Sequence, residues 1–161
     1  MRTLWTALLI FTLASLLFGQ RPQKPRAEVS NVQLTRSVLI EVTMFAADKI
    51  LFVPFCGESD AGTKSLCYGP ARVEVQKRGN WRPVELRHRD AILGALAPDR
   101  RKAEKIEAGG RGRFILAISK DDFAVETGQR LRLVVDAWPN EQSARNGGQP
   151  IQMVTPSFGC P

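Results

Sequence analysis

Short runs in which apolar and polar side chains alternate recur along most of this chain, and they restrict the fold more than any other feature. The clearest run is 129–138, where Leu131, Leu133 and Val135 share one side while Arg130 and Arg132 share the other. Such alternation places successive side chains on opposite faces of a half-buried strand. The run therefore predicts a strand at a protein surface, with one face in the core.

Similar runs predict further strands, at 28–34, Ser37–Phe45, 50–55, from Arg72, 81–86, 113–118 and 151–155. Arg78-Gly79-Asn80 is typical of a hairpin turn between two of them. The only helix candidate is the window 90–107, as one or two short turns. About seven or eight short strands separated by turn signals predict an all-β, antiparallel sandwich.

The N-terminus has the pattern of a secretory signal peptide. Arg2 precedes an apolar run from Leu4 to Phe18, and Gly19 offers the small residue that a signal peptidase requires. We predict a signal peptide at 1–20, an extended linker at 21–27 and a single β-sandwich domain at 28–161. An uncleaved anchor is the alternative, although the run is shorter than the roughly 20 apolar residues of a spanning helix.

The charge of the chain bears on where it acts and on what it binds. Its 161 residues carry 23 Lys and Arg against 16 acidic residues, a formal net charge of +7. A basic excess favours anionic partners or simply aids solubility. A signal peptide predicts a secreted, periplasmic or cell-envelope protein, with no transmembrane span after cleavage and no nucleic acid as partner. An anionic glycan or lipid surface, or another envelope or extracellular protein, then remains.

Three cysteines give one disulfide and one leftover thiol in an oxidising compartment. Cys56 and Cys67 enclose a short loop of turn residues, which makes them the easiest pair to close. Either of them could instead join Cys160 and fix the C-terminus. Three cysteines and one distant His88 lack the ligand spacing of a zinc module, so we predict no metal and no cofactor.

Two loops are predicted as contact surfaces. The connection 87–111 exceeds the usual length of a loop, which is typical of a functional or disordered segment. A second polar loop spans 139–149. Trp138, on the polar side of its strand, is either an exposed interface anchor or a cover for the end of the core. The candidate binding surface comprises Arg87, Arg89, Arg100, Arg101, Lys102 and Trp138.

Catalytic patterns are weak. His88 lies between two arginines, and no Gly-x-Ser-x-Gly turn supplies a nucleophile for it. Asp121-Asp122 lacks the regular spacing of a calcium loop and is typical of a solvated turn. The glycines in 109–112 precede a predicted strand, whereas a phosphate cradle precedes a helix. We predict that the protein is not an enzyme.

In four features the chain resembles immunoglobulin and fibronectin type III sandwiches. A strand ends at Cys56, a hairpin closes on Trp81, Gly109-Gly110 precede the strand at Phe114, and a late strand follows Gly128. The chain is also similar in outline to small exported bacterial β-sandwiches, a fold class that includes proteinase inhibitors. The resemblance implies an architecture, and function does not follow from fold.

These observations predict an exported, non-catalytic binding or interaction module. A secreted proteinase inhibitor is one alternative, and a small secreted hydrolase that uses His88 or the pair Asp121 and Asp122 is another.

Overall fold

Two β-sheets and one short helix make up the part of the chain that the structure describes. The structure is a computed structural model, and it describes residues 24–86 and 102–160. The predicted all-β sandwich is confirmed, with eleven strands in these ranges instead of seven or eight. The predicted signal peptide at 1–20 lies outside the described residues.

The first sheet, sheet A, has six strands. In spatial order they are β1 (Arg26–Leu34), β2 (Ser37–Phe45), β8 (Arg111–Ser119), β4 (Lys64–Leu66), β3 (Leu51–Glu58) and β7 (Lys102–Ile106). Every neighbouring pair is antiparallel except β4 and β8, which run parallel. This parallel pair departs from the predicted antiparallel sandwich. β4 returns antiparallel to β3 after a turn, and its other edge pairs with β8.

The second sheet, sheet B, has five strands. Four follow the order β10 (Ile151–Val154), β9 (Arg130–Ala137), β5 (Ala71–Lys77) and β6 (Asn80–Pro83), and β11 (Phe158–Gly159) also pairs with β9. The predicted turn joins β5 to β6 through Arg78 and Gly79, both with positive φ, at 51° and 82°. Two positive φ angles match the right-handed twist of a two-residue hairpin.

The core lies between the inner faces of the two sheets. Alternation in β2 buries Val38, Ile40, Val42 and Met44, each at most 1% exposed. Leu131, Leu133 and Val135 of β9 face them from sheet B. The side chains predicted to face inward on these two strands therefore do so.

The predicted loop 87–111 is partly wrong. Residues 102–106 form β7, which pairs with β3 and turns through Gly109 into β8. Residues 102–106 also lie in the window predicted as helical, and they are a strand. Edge strands commonly carry charges that discourage further pairing, and Lys102, Glu104 and Lys105 give β7 that character. Residues 87–101 lie outside the described part of the chain.

The polar loop predicted at 139–149 contains a helix, α1 (Glu141–Asn146). The Asn140 side chain caps it by accepting a hydrogen bond from the Ser143 amide, and Gly147 ends it with a φ of 75°. Caps at both ends stabilise a helix too short to form alone. The helix packs against β3 and β7 through the buried Ala144.

The disulfide joins Cys56 and Cys67, as predicted. It links β3 to the segment that follows β4. Cys160 is a buried free cysteine, and its backbone bonds to Gly128 and Gln129 fix the C-terminal end beside β9. Burial raises the pKa of the Cys160 thiol.

The residue that follows β9 connects the two sheets. Beyond the end of β9 in sheet B, Trp138 exchanges two backbone hydrogen bonds with Phe52 of β3 in sheet A, at 2.8 and 2.9 Å. Among the described residues, no helix has the length and hydropathy needed to cross a membrane.

Candidate functional site

Of the six residues predicted as a binding surface, the structure describes only Lys102 and Trp138. Arg87, Arg89, Arg100 and Arg101 lie outside the described residues. Lys102 is exposed at the start of the edge strand β7, opposite Phe55.

Trp138 is not exposed. Its side chain is 5% exposed, and its indole N–H donates a hydrogen bond to the Gly148 carbonyl at 2.6 Å. Of the two roles predicted for it, the structure gives it the second, a cover for the end of the core. The polar parity of Trp138 was misleading because β9 ends at Ala137, and Trp138 pairs instead with Phe52 of sheet A.

Of the residues considered for catalysis, the structure describes Asp121, Asp122 and Asp136. His88 lies outside the described residues, and Asp136 is paired with Arg72 at 3.4 Å. The Asp122 amide donates to the Ser119 carbonyl in the turn after β8, and the Asp122 side chain is buried. Within residues 24–86 and 102–160, no three His, Cys, Asp or Glu side chains converge as a metal site.

A basic cluster instead lies at the β5–β6 hairpin. Val75 is opposite Arg82 in this hairpin, and Lys77 is opposite Asn80, so Lys77 and Arg82 are diagonal neighbours. Both share the parity of Val73 and Val75, which face the core. The two cations therefore extend from the core-facing side of sheet B, beyond the point where the apolar core ends.

A groove of about 850 Å³ opens beside this hairpin. We call it the hairpin groove. Its lining joins the hairpin, the turn before β5, the segment after β6 and one residue from the β8–β9 connection: Tyr68, Gly69, Arg72, Val75, Lys77, Arg82, Pro83, Val84, Glu85, Leu86 and Ala124. Its volume lies within the range of ligand pockets, about 300–1,000 Å³.

Hydrogen bonds to backbone groups hold the apolar part of the hairpin groove in place. The Tyr68 hydroxyl donates to the Val84 carbonyl at 3.2 Å, and the Val84 amide donates to Val73 at 2.9 Å. Leu86 forms a bridge with Phe123, which brings Ala124 to the opposite wall. The groove is thus built on paired backbone.

The ring of Tyr68 contributes an uncharged wall to the groove. Burial raises the pKa of its hydroxyl, and the nearby positive charge of Arg72 lowers it by a smaller amount. A tyrosine with a raised pKa stays neutral throughout the physiological range. The Tyr68 side therefore remains apolar, apart from the hydroxyl that is bonded to Val84.

The cations of the groove differ in how well they are paired. Arg72 lies 3.4 Å from Asp136 and 3.8 Å from Glu74, so its charge is compensated within the protein. Lys77 and Arg82 are exposed, and neither forms an ion pair with an acidic residue of the described ranges. They are the charges available to a ligand, with Glu85 at the rim as the local acid.

The outer face of sheet B carries a row of paired charges that supports the hairpin. Arg132 donates to Glu74 at 2.7 Å, and its guanidinium lies 4.5 Å from the centre of the Trp81 ring. A cation over an aromatic face is stabilised by the ring quadrupole. Trp81 of β6 is therefore fixed to β9, across β5.

Sequence reasoning identified the hairpin and missed the groove. The signal was present: Lys77 and Arg82 occupy the parity that is apolar in the rest of β5 and in Val84. Charged side chains at strand positions that would otherwise face the core, close to a turn, indicate that the apolar core ends there. Leu86 and Ala124, which complete the lining of the groove, are distant from each other in sequence, and no local pattern predicts that they meet.

Comparisons with known proteins add little. No protein-family model matches the chain, and no curated protein does. A crystal structure of a beta-glucosidase from Listeria innocua in complex with gluconolactone is similar over 86% of this chain, at 10% identity and a TM-score of 0.29. The chain spans 17% of the length of that structure, and nothing about function follows from so low a TM-score.

Proposed function

We propose that this protein is an exported, non-catalytic binding module that holds an anionic partner in the hairpin groove. One observation carries the proposal: Lys77 and Arg82 are diagonal neighbours that both line the groove, and neither has an acidic partner in the described ranges. Unpaired cations on a concave surface attract and hold anions more strongly than the same charges on a convex one.

The scaffold around the groove supports a role in binding. The hairpin is fixed to β9 by the Arg132 contacts with Glu74 and Trp81, so the cations project from a rigid element. A rigid binding element loses less conformational entropy when its ligand binds.

Export is the second part of the proposal. The Cys56–Cys67 disulfide fits an oxidising compartment such as the periplasm, the cell envelope or the extracellular space. The apolar run from Leu4 to Phe18 supplies the signal that export requires. The two packed sheets also agree with the predicted immunoglobulin-like resemblance, which stays a prediction.

A charge-matched comparison tests the binding site. The protein recovered after export is titrated with three anionic probes: heparin, phosphatidylglycerol vesicles and sodium laurate. The variant Lys77→Gln/Arg82→Gln removes the groove charges, and Lys49→Gln/Lys120→Gln removes two cations from other turns. We expect the first variant to weaken binding of at least one probe tenfold or more, and the control to change it less than twofold.

Salt separates a site from general attraction. At 0.3 M salt, exposed charges more than a few ångströms apart are largely screened. Residual binding that still depends on Lys77 and Arg82 at that salt supports the groove. Equal losses for the two variants, or no binding of any probe, would overturn the proposal. Among the described residues, no observation favours the inhibitor or the hydrolase alternative, and both stay predictions.

A further inference from the structure

The hairpin groove has two chemically different sides, and this difference bears on which anion it takes. On one side the hairpin presents Lys77 and Arg82. On the other, the lining is the Tyr68 ring, Val84, Leu86 and Ala124. A highly charged polymer would leave this second side without a partner, whereas a ligand with an apolar part would cover it.

The charge capacity of the groove is small. Among the described lining residues, Arg72 is already compensated by Asp136 and Glu74, which leaves Lys77 and Arg82 as the cations without an ion pair, and Glu85 repels further negative charge. Diagonal neighbours on one face of a hairpin lie about 7–8 Å apart, close enough for two long side chains to reach one group. Lys77 and Arg82 therefore suit a single anionic head group.

The size of the groove also favours a ligand with an apolar part. A single carboxylate or sulfate fills a small fraction of about 850 Å³. Apart from Arg72 and Glu85, the other lining side chains include Tyr68, Leu86 and Ala124, which gain from contact with a hydrocarbon chain. A ligand that satisfies both sides has an anionic head between the two cations and an apolar chain along Tyr68, Leu86 and Ala124.

We propose that the hairpin groove binds a single-headed amphiphilic anion, of the class of a fatty carboxylate, with its head group at Lys77 and Arg82. This inference rests on the proposed function and narrows it to one class of ligand. It distinguishes this site from one for a hydrophilic polyanion such as a sulfated glycan.

The test is a chain-length series measured by calorimetry on the protein recovered after export. Hexanoate, octanoate, decanoate and laurate are titrated below their micelle concentrations, with heparin in parallel. Burial of one methylene strengthens binding by about fourfold when the group leaves water completely. In an open groove we expect affinity to rise by about two- to fourfold per methylene.

Two variants locate the ligand. Ala124→Phe fills the apolar side without a change in charge, and we expect it to remove the dependence on chain length. Lys77→Gln/Arg82→Gln should weaken every member of the series by a similar factor. Lys49→Gln/Lys120→Gln is the charge-matched control, and it should change neither the dependence on chain length nor the affinity of the series.

The outcomes separate the inference from the proposed function. If heparin binds through Lys77 and Arg82 while affinity for the carboxylates stays flat with chain length, the groove is an anion site and the amphiphile proposal is wrong. A chain-length dependence that survives Ala124→Phe would also overturn it. If no probe binds, both proposals fail.

Discussion

At the scale of single residues, the molecule separates its charges into paired and unpaired groups. Glu74 on the outer face of sheet B receives Arg132 at 2.7 Å and lies 3.8 Å from Arg72. On the other face of the same hairpin, Lys77 and Arg82 have no acidic partner among the described residues. The first group stabilises the fold, and the second is available for binding.

Loss of the Glu74 carboxylate should destabilise the protein clearly. Glu74→Gln removes a negative charge beside the partly buried Arg132 and Arg72. The Glu74 side chain is only 12% exposed. Breaking a fully buried ion pair costs about 3–5 kcal/mol, so we expect about 2 kcal/mol here. Unfolding in urea measures it.

Glu28→Gln is the matched control, because Glu28 also pairs with an arginine, at 3.1 Å, but is 51% exposed. Exposed pairs contribute about 0–1 kcal/mol. Equal losses of unfolding free energy for the two variants would contradict the importance given to the Glu74 cluster.

At the scale of elements, the disulfide secures a short strand. β4 has three residues, and two of them pair with β8. A strand this short depends on its neighbours for stability. The Cys56–Cys67 bond ties the residue directly after β4 to β3.

Removal of this bond should cost stability and loosen β4 first. For a loop closed over a sequence separation of 11 residues, loop-closure entropy gives about 3 kcal/mol. The variant Cys56→Ser/Cys67→Ser should lose about this amount in urea unfolding, with faster amide exchange at Ser65 and Leu66. Unchanged exchange at these amides would show that β4 is held by its hydrogen bonds alone.

The elements also show how far the sequence predicts this fold. Ser37–Phe45 was predicted to the residue, because its alternation follows burial on one face. β7 and β4 were missed, since a charged edge strand and a three-residue strand carry no alternation that local reasoning detects. The hairpin turn at Arg78 and Gly79 was predicted, whereas the groove beside it was not, because Leu86 and Ala124 meet only through tertiary pairing.

At the scale of the whole molecule, Trp138 joins the two sheets. Its backbone pairs with Phe52 of sheet A, while the strand before it belongs to sheet B. Its indole extends to Gly148, at the end of α1. The sandwich is therefore closed at this corner by hydrogen bonds as well as by packing.

Trp138→Ala should weaken both sheets together. The loss of a buried tryptophan costs about 3–5 kcal/mol. We expect that loss in unfolding free energy, with faster exchange of the Phe52 amide, which donates to Trp138 at 2.8 Å. Trp81→Ala is the control: Trp81 is half-buried, so its removal should cost about 1 kcal/mol, mainly its contact with Arg132. A smaller loss for Trp138 than for Trp81 would contradict this account.

The position of β8 between β2 and β4 also governs when the protein can fold during its synthesis. The β1–β2 and β3–β4 hairpins are local and can form as soon as they leave the ribosome. They cannot become neighbours in one sheet until residues 111–119 have been translated. Pairings this distant in sequence form slowly. For roughly the first two thirds of translation, the nascent chain therefore cannot complete sheet A. During that time the apolar faces of its two early hairpins stay exposed to the surroundings of the nascent chain.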